Sequence, residues 1–367
     1  MSPNYSVLLV EYYFPQSLSP ARLDRYLAGG WFRSGPSLFR TQVLCLDGNM
    51  YSVINIRVPL DGYRPGKSLR KLYNQNSRKF RVEIGEAFID LEKERLYQTQ
   101  KKRFKGFIFD TLEEFLYAGS AFYLFDTREV RVYDGDKLVA VSYFDAGSNS
   151  IASLLGLYDQ SYADRSLGMF TMLVEIHYAQ SKGLKFYYPG YVLEGMSAFD
   201  YKLRLGSIQY HNWKGRWRPF PKVNEETLVV EKIQQGLVAA QRLLDAKCVP
   251  YESSLYPFFS VGYLEGFAVE FLKSVSFLKL FPDSFTAQTG LDLVLEYVVE
   301  EGCYLLSRVR RTTDFLDFMS AEFSEEFLDH DRVQPALLTR EELIARDFTP
   351  DNLVEIALQI GKTELAL

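Results

Sequence analysis

The chain has 367 residues, enough for two or three domains, and its 47% hydrophobic and 15% aromatic content excludes wholesale disorder. The formal net charge of −5 hides an asymmetry: residues 1–220 carry 29 Lys+Arg against 22 Asp+Glu, and residues 221–367 carry 13 against 25. Residues 57–105 alone hold 14 basic and 6 acidic side chains, and a basic segment in an acidic protein is a candidate polyanion surface.

In chain order, Tyr5–Phe14 reads as an aromatic strand. Glu11 and the lack of a basic start argue against a signal peptide. Ser19 and Pro20 open a helix through Leu27, which Gly29-Gly30 ends. Phe39–Leu46 and Tyr51–Val58 form a hairpin across Asp47-Gly48-Asn49. Pro65-Gly66 turns into a basic helix that carries Ser68, Arg70, Lys71, Asn76 and Arg78, and Glu86–Gln100 is a second helix. Thr111–Ala118 reads as a short helix. Arg128–Tyr133 and Leu138–Asp145 pair across Asp134-Gly135-Asp136, and Ile151–Tyr158 is a third strand. Asp164–Ser181 is predicted as an amphipathic helix, with Phe170, Leu173, Val174 and Ile176 towards a core. Gly183 ends it, and Leu184–Tyr188 is a buried strand.

Antiparallel strands, then a helix, then a further strand is the order of a GNAT-type acyltransferase core. Beyond it, Glu225–Ala246, Tyr263–Phe277 and Leu291–Val309 have helical length and period. Thr339 with Glu342 has capping-box spacing, and Thr349-Pro350 is a helix start. Leu255–Phe281, interrupted by Glu265, Glu270, Lys273 and Lys279, reads as buried helix rather than a membrane span. The expected class is therefore α+β. It comprises an N-terminal α+β domain (1–105), a GNAT-like core (106–220) and a helical, acidic extension (221–367). Cys45, Cys248 and Cys303 are far apart, as are His177, His211 and His330. This fits a reducing cytoplasm and predicts no metal site.

The chemistry centres on Arg165-Ser166-Leu167-Gly168-Met169. At a helix start, unpaired N–H groups and the helix dipole suit a phosphate, and Arg165 adds a forked donor. Taken alone, Ser166 equally fits the cap of a core helix. The wider order carries more: Gly156 through Gly168, then Glu175-Ile176, Lys182-Gly183-Leu184, Tyr187-Tyr188-Pro189-Gly190-Tyr191, Tyr201-Lys202 and Gly215-Arg216-Trp217.

This order resembles the C-terminal half of the arginyl/leucyl-tRNA–protein transferases, including the bacterial aspartate/glutamate leucyltransferases. Gly30-Trp31-Phe32-Arg33-Ser34-Gly35, Phe39-Arg40 and Tyr63–Ser68 with Arg70, Lys71 and Asn76 resemble elements of their N-terminal half. The likeness covers residues 11–220. Departures are Glu11–Pro15 and a lone Cys45 where the family often carries metal-associated cysteines, Asp200 before Tyr-Lys, and Gln160 in place of Pro.

The resemblance implies attack by a protein α-amine on the ester between an amino acid and the tRNA 3′ ribose. Such a donor is already activated, so positioning and a neutral amine suffice, and no cofactor beyond aminoacyl-tRNA is expected. On this reading Arg165, Ser166, Leu167, Gly168, Tyr188 and Tyr201 bind the donor end. Arg33, Ser34 and Lys202 bind an acidic acceptor. Tyr191, Lys202 and Asp159 are the catalytic candidates, with Glu194 as an alternative proton acceptor. Arg64, Lys67, Arg70, Lys71 and Arg78 contact the tRNA backbone. Expected partners are charged tRNA and protein N-termini in the cytoplasm, no membrane, and a protein partner for the acidic segment. Two other readings stand beside this one: an adaptor that binds tRNA or N-termini without catalysis, and an acyl-CoA N-acetyltransferase.

Overall fold

The structure is a computed structural model and describes residues 8–103, 109–117, 124–220, 228–282, 284–312 and 332–365. The N-terminal part comprises β1 (Val10–Tyr13), α1 (Pro20–Ala28), β2 (Phe32–Ser34), β3 (Ser37–Thr41), β4 (Val43–Leu46), β5 (Asn49–Pro59), α2 (Lys67–Lys79), β6 (Arg81–Glu86) and α3 (Leu91–Lys101). Ser19 caps α1 as its sequence position dictates, accepting from the Arg22 N–H. Asp47 and Gly48 both have positive φ, 49° and 67°, which is the backbone a tight hairpin between β4 and β5 requires. The strand read over Phe39–Leu46 breaks at Gln42. There the Thr41 hydroxyl donates to the Val43 carbonyl, and the Gln42 N–H turns to Leu9.

The middle of the chain comprises α4 (Leu112–Tyr117), β7 (Thr127–Asp134), β8 (Lys137–Ala146), β9 (Ser150–Tyr158), α5 (Leu167–Ser181), β10 (Phe186–Tyr188), β11 (Tyr191–Leu193), β12 (Gln209–His211) and β13 (Trp217–Pro219). The main sheet runs β13-β12-β5-β10-β9-β8-β7-β6, with β11 and β4 also paired to β5. β7, β8 and β9 are antiparallel, α5 crosses the sheet, and β10 returns parallel to β9, the order expected of a GNAT-like core. The division at residue 105 does not separate two bodies. β5 lies between β10 and β12, and β6 forms the far edge beside β7.

Two local expectations change. α5 begins at Leu167, because Gln160–Arg165 forms a 3-10 helix and Ser166 adopts the left-handed conformation (φ 49°, ψ 48°). Nor is α5 amphipathic: its buried residues run around the helix and include Met169, Thr171, Leu173 and Glu175.

The last part contains α6 (Val229–Ala246), β14 (Tyr251–Leu255), β15 (Ser276–Leu280), α7 (Ser284–Thr289), β16 (Asp292–Val298), β17 (Cys303–Thr312), β18 (Leu337–Asp347) and α8 (Asp351–Glu364). It is not a helical extension. β14 to β18 form a five-stranded antiparallel sheet in sequence order. The runs read as helices over Tyr263–Phe277 and Leu291–Val309 are loop and strand, and the buried helix read over Leu255–Phe281 is a short 3-10 helix (Pro257–Tyr263) followed by loop and β15. Burial on both faces makes Leu293-Val294-Leu295 apolar without alternation, which removes the strand signature. Thr339 sits in the β17–β18 ladder rather than at a helix cap. The helix start at Thr349-Pro350 stands, and the helix read over Glu225–Ala246 begins at Val229, residues 225–227 lying outside the described residues. This sheet shares one core with the N-terminal strands, in which Leu9, Val10, Val43 and Cys45 join Ile233, Leu278, Leu293 and Leu353. No helix of the described residues is long and apolar enough to cross a membrane.

Candidate active site

β10 accompanies β9 for three residues only, from Phe186 opposite Ser150 to Tyr188 opposite Ala152. β9 continues to Tyr158, while the chain turns at Gly190 (φ 97°) into β11, which pairs with β5 instead. Among the described residues nothing takes up the β10-side edge of β9 beyond Ala152, so the sheet parts at this point. The start of α5, Tyr158, and a 3-10 helix over Ser197–Leu205 surround the opening.

Lys202, half-buried on that 3-10 helix, donates from Nζ to the Tyr191 carbonyl at 3.0 Å. Its ammonium lies 5.2 Å from the Tyr191 ring centre and 5.3 Å from that of Phe199, and the two rings stack on each other. It forms no ion pair with a described residue. Burial lowers its pKa to about 8, and burial raises that of Tyr191 to about 12. A Cβ at Gly190 would stand 3.3 Å from this ammonium on a left-handed backbone, which explains why glycine occupies the turn.

On the α5 side lies a group that sequence reasoning missed. Glu175 is fully buried and accepts hydrogen bonds from Ser142 of β8 at 2.5 Å and Tyr187 of β10 at 2.8 Å. Burial raises its pKa to about 7, opposed by the bonds from Ser142, Tyr187 and Ser153. The exposed Tyr201 is near enough for Glu175 and Tyr158 to raise its own pKa, after burial. The available signal was a single carboxylate inside the apolar run Leu173-Val174-Glu175-Ile176.

The start of α5 has no side-chain cap, and Asn76 of α2 donates to the Arg165 carbonyl at 2.9 Å. This hydrogen bond from the Asn76 side-chain amide joins the basic helix to the phosphate-suited turn. Arg64, Lys67, Arg70, Lys71 and Arg78 are all exposed, and none forms an ion pair with a described residue. Arg165 is exposed beside Asp164, at 3.2 Å, while Leu167 is buried in the core beneath.

Three sequence assignments are corrected by their surroundings. Arg33 is not available to an acceptor: its buried guanidinium bonds to Asp145, Thr127 and the Gly35 carbonyl, each at 2.7 Å, and to the Leu116 carbonyl. Ser34 lies in the same hairpin, its carbonyl accepting from Ser37. Asp159 is a poor proton acceptor. Lys137 at 2.6 Å and the N–H and hydroxyl of Ser161 hold its carboxyl at about 2. Tyr188 faces away from α5, into the cluster of Leu23, Leu27 and Ala152, because alternation along β10 sends Tyr187 to Glu175 and Tyr188 to the other face. Glu194 is exposed.

The residues present do not fit the cysteine-borne metal group found in part of the resembled family. Glu11 is paired with Arg40, and Cys45 is buried in apolar core with its thiol pKa raised by burial.

The family model described as arginine-tRNA-protein transferase, C terminus, matches residues 81–212, which run from β6 to β12. An aspartate/glutamate leucyltransferase of Leptospira interrogans is 32% identical over 201 residues, covering 53% of this chain and 76% of that protein. One from Vibrio cholerae is 26% identical over 208 residues, covering 55% and 86%. Among solved structures, L-PGS from Bacillus licheniformis overlaps at a TM-score of 0.28 and 15% identity, covering 38% of this chain and 47% of that one. A tandem GNAT protein from the clavulanic acid pathway overlaps at 0.29 and 10%, covering 54% and 58%. By its relation to the leucyltransferases, the chain belongs to the arginyl/leucyl-tRNA–protein transferase family and is an aminoacyltransferase.

Proposed function

We propose that this protein moves leucine or arginine from charged tRNA to the N-terminal α-amine of proteins that begin with Asp or Glu, marking them for degradation in the cytoplasm. No cofactor beyond the charged tRNA is required. The observation that carries this reading is the juxtaposition of Lys67, Arg70, Lys71 and Arg78 on α2, none ion-paired with a described residue, the uncapped start of α5 and the opening that holds Lys202. In the reaction the amine nitrogen bonds to the ester carbonyl carbon, and the C–O bond to the 3′ ribose breaks. The ribose oxygen leaves with the proton given up by the nitrogen.

The test is direct. The full chain is incubated with leucyl- or arginyl-tRNA and peptides that begin with Asp, Glu, Arg or Lys, and products are weighed by mass spectrometry. Addition to Asp- or Glu-initiated peptides supports the reading. Binding of tRNA with no transfer favours the adaptor, and transfer from acetyl-CoA favours the acetyltransferase.

Two further outcomes are expected. Reversing Arg70 and Lys71 to Glu removes two phosphate contacts. The slope of log affinity against log salt should fall by about 2, with the choice between leucine and arginine unchanged. Filter binding across a salt series reads this, and a slope equal to the native one refutes the assignment. Lys202 is protonated below its pKa of about 8, so an acidic acceptor side chain finds a cation there only below that pH. The KM for Asp- and Glu-initiated peptides should therefore rise as pH passes about 8, and K202M should raise it at pH 7.

A further inference from the structure

The sheet opening leaves one question about the reaction: where the proton of the incoming α-ammonium goes. Asp159 is held ionised by Lys137, and Glu194 is exposed. Glu175 is different in kind. It is the one carboxyl that α5 carries into the sheet, and three strands reach it at the place where β9 and β10 diverge. Ser142 approaches from β8, Ser153 from β9 and Tyr187 from β10, while Tyr201 approaches from the 3-10 helix. No lysine, arginine or histidine among the described residues pairs with it. Both oxygens accept hydrogen bonds, so the carboxylate is oriented and its Oε2 faces the Tyr187 hydroxyl.

From this arrangement we infer that Glu175 is the resting place of the acceptor's proton, reached by way of a bridging water and the hydroxyl of Tyr187, which is fully buried behind the exposed lip formed by Tyr201. The inference rests on the aminoacyl-transfer reading of the same opening. The α-ammonium passes one proton to a water, the water passes one to the buried Tyr187 oxygen, and the Tyr187 hydroxyl proton moves to Glu175 Oε2, leaving the water as it was. The products are a neutral amine, an intact tyrosine and a neutral carboxylic acid, so charge and protons balance. A peptide α-ammonium has a pKa of roughly 7.7–8.0, and burial brings the Glu175 carboxyl to about 7, so neither side holds the proton strongly. Glu175 thus acts through Tyr187 and is a positioning residue rather than one that touches substrate.

Two measurements on the full chain test it. The first follows transfer from leucyl- and arginyl-tRNA to an Asp-initiated peptide between pH 5.5 and 8.5. E175Q and Y187F should each lower kcat about 100-fold near pH 7 and lose the acid limb, with the KM for charged tRNA unchanged. The second reads the protonated carboxyl stretch as the infrared difference before and after the peptide is added alone, recorded in the wild type and in Y187F. The band should grow at pH 7.5 in the wild type and not in Y187F, which decides the matter if E175Q fails to fold. A wild-type acid limb in folded E175Q or Y187F, or a band unmoved by peptide, overturns the inference. A band that grows in a protein that transfers nothing keeps the proton acceptor and removes the aminoacyl-transfer reading.

Discussion

Arg33→Met will destabilise the protein by about 3–5 kcal/mol without changing which peptide N-termini are modified per folded molecule. The variant leaves Asp145, 1% exposed, without its cation and strands the acceptors on Gly35 and Leu116. It also removes a guanidinium stacked 4.1 Å from the Phe125 ring centre. Chemical denaturation measures the loss. The double variant R33M/D145N should recover part of it, because the orphaned charge is then gone. A stable R33M that loses selectivity for Asp and Glu would restore Arg33 to acceptor recognition.

Ending the chain after Phe220 will abolish a soluble, cooperatively folded product. Leu9, Val10 and Val43 would pass from full burial to water, at about 1.5–3 kcal/mol each. The sum, roughly 5–9 kcal/mol, rivals the whole stability of an ordinary domain. The Leu9 N–H would also lose the Glu300 carboxylate, and the Ser52 hydroxyl its bond from the Val230 N–H. Solubility and a thermal melt of residues 1–220 check this, and a sharp melt like that of the full chain would show that the two parts are independent. The apolar face of the acidic segment is covered from within the chain by these N-terminal strands.

What was legible in the sequence was local. Ser19-Pro20, Asp47-Gly48 and Pro350 act on their own few residues, so capping and turn chemistry located them. The order strand, helix, strand around α5 survived because Gly183 and the hairpin at Asp134-Gly135 punctuate it. What failed depended on neighbours distant in sequence. β16 and β17 are covered on both faces by segments a sequence window does not see, and so lost their alternation. Arg33 meets Asp145 across 112 positions. A strand of three residues is too short for its phase to be read, so the sequence does not separate Tyr187 from Tyr188. Glu175 is hidden because nothing local says that an acid in an apolar helix will find Ser142 and Tyr187.

The shared core also dictates when the enzyme comes to life. Val10 and Val43 leave the ribosome early, yet the core they enter is closed by Leu353 on α8. At about 5–20 residues per second, the 147 residues after Phe220 take roughly 7–30 s to be made. For that interval a nascent chain carries the basic helix and every strand around the sheet opening, but no completed support beneath β1 and β4. An aminoacyltransferase built this way is expected to act on charged tRNA only after α8 has emerged and closed that core.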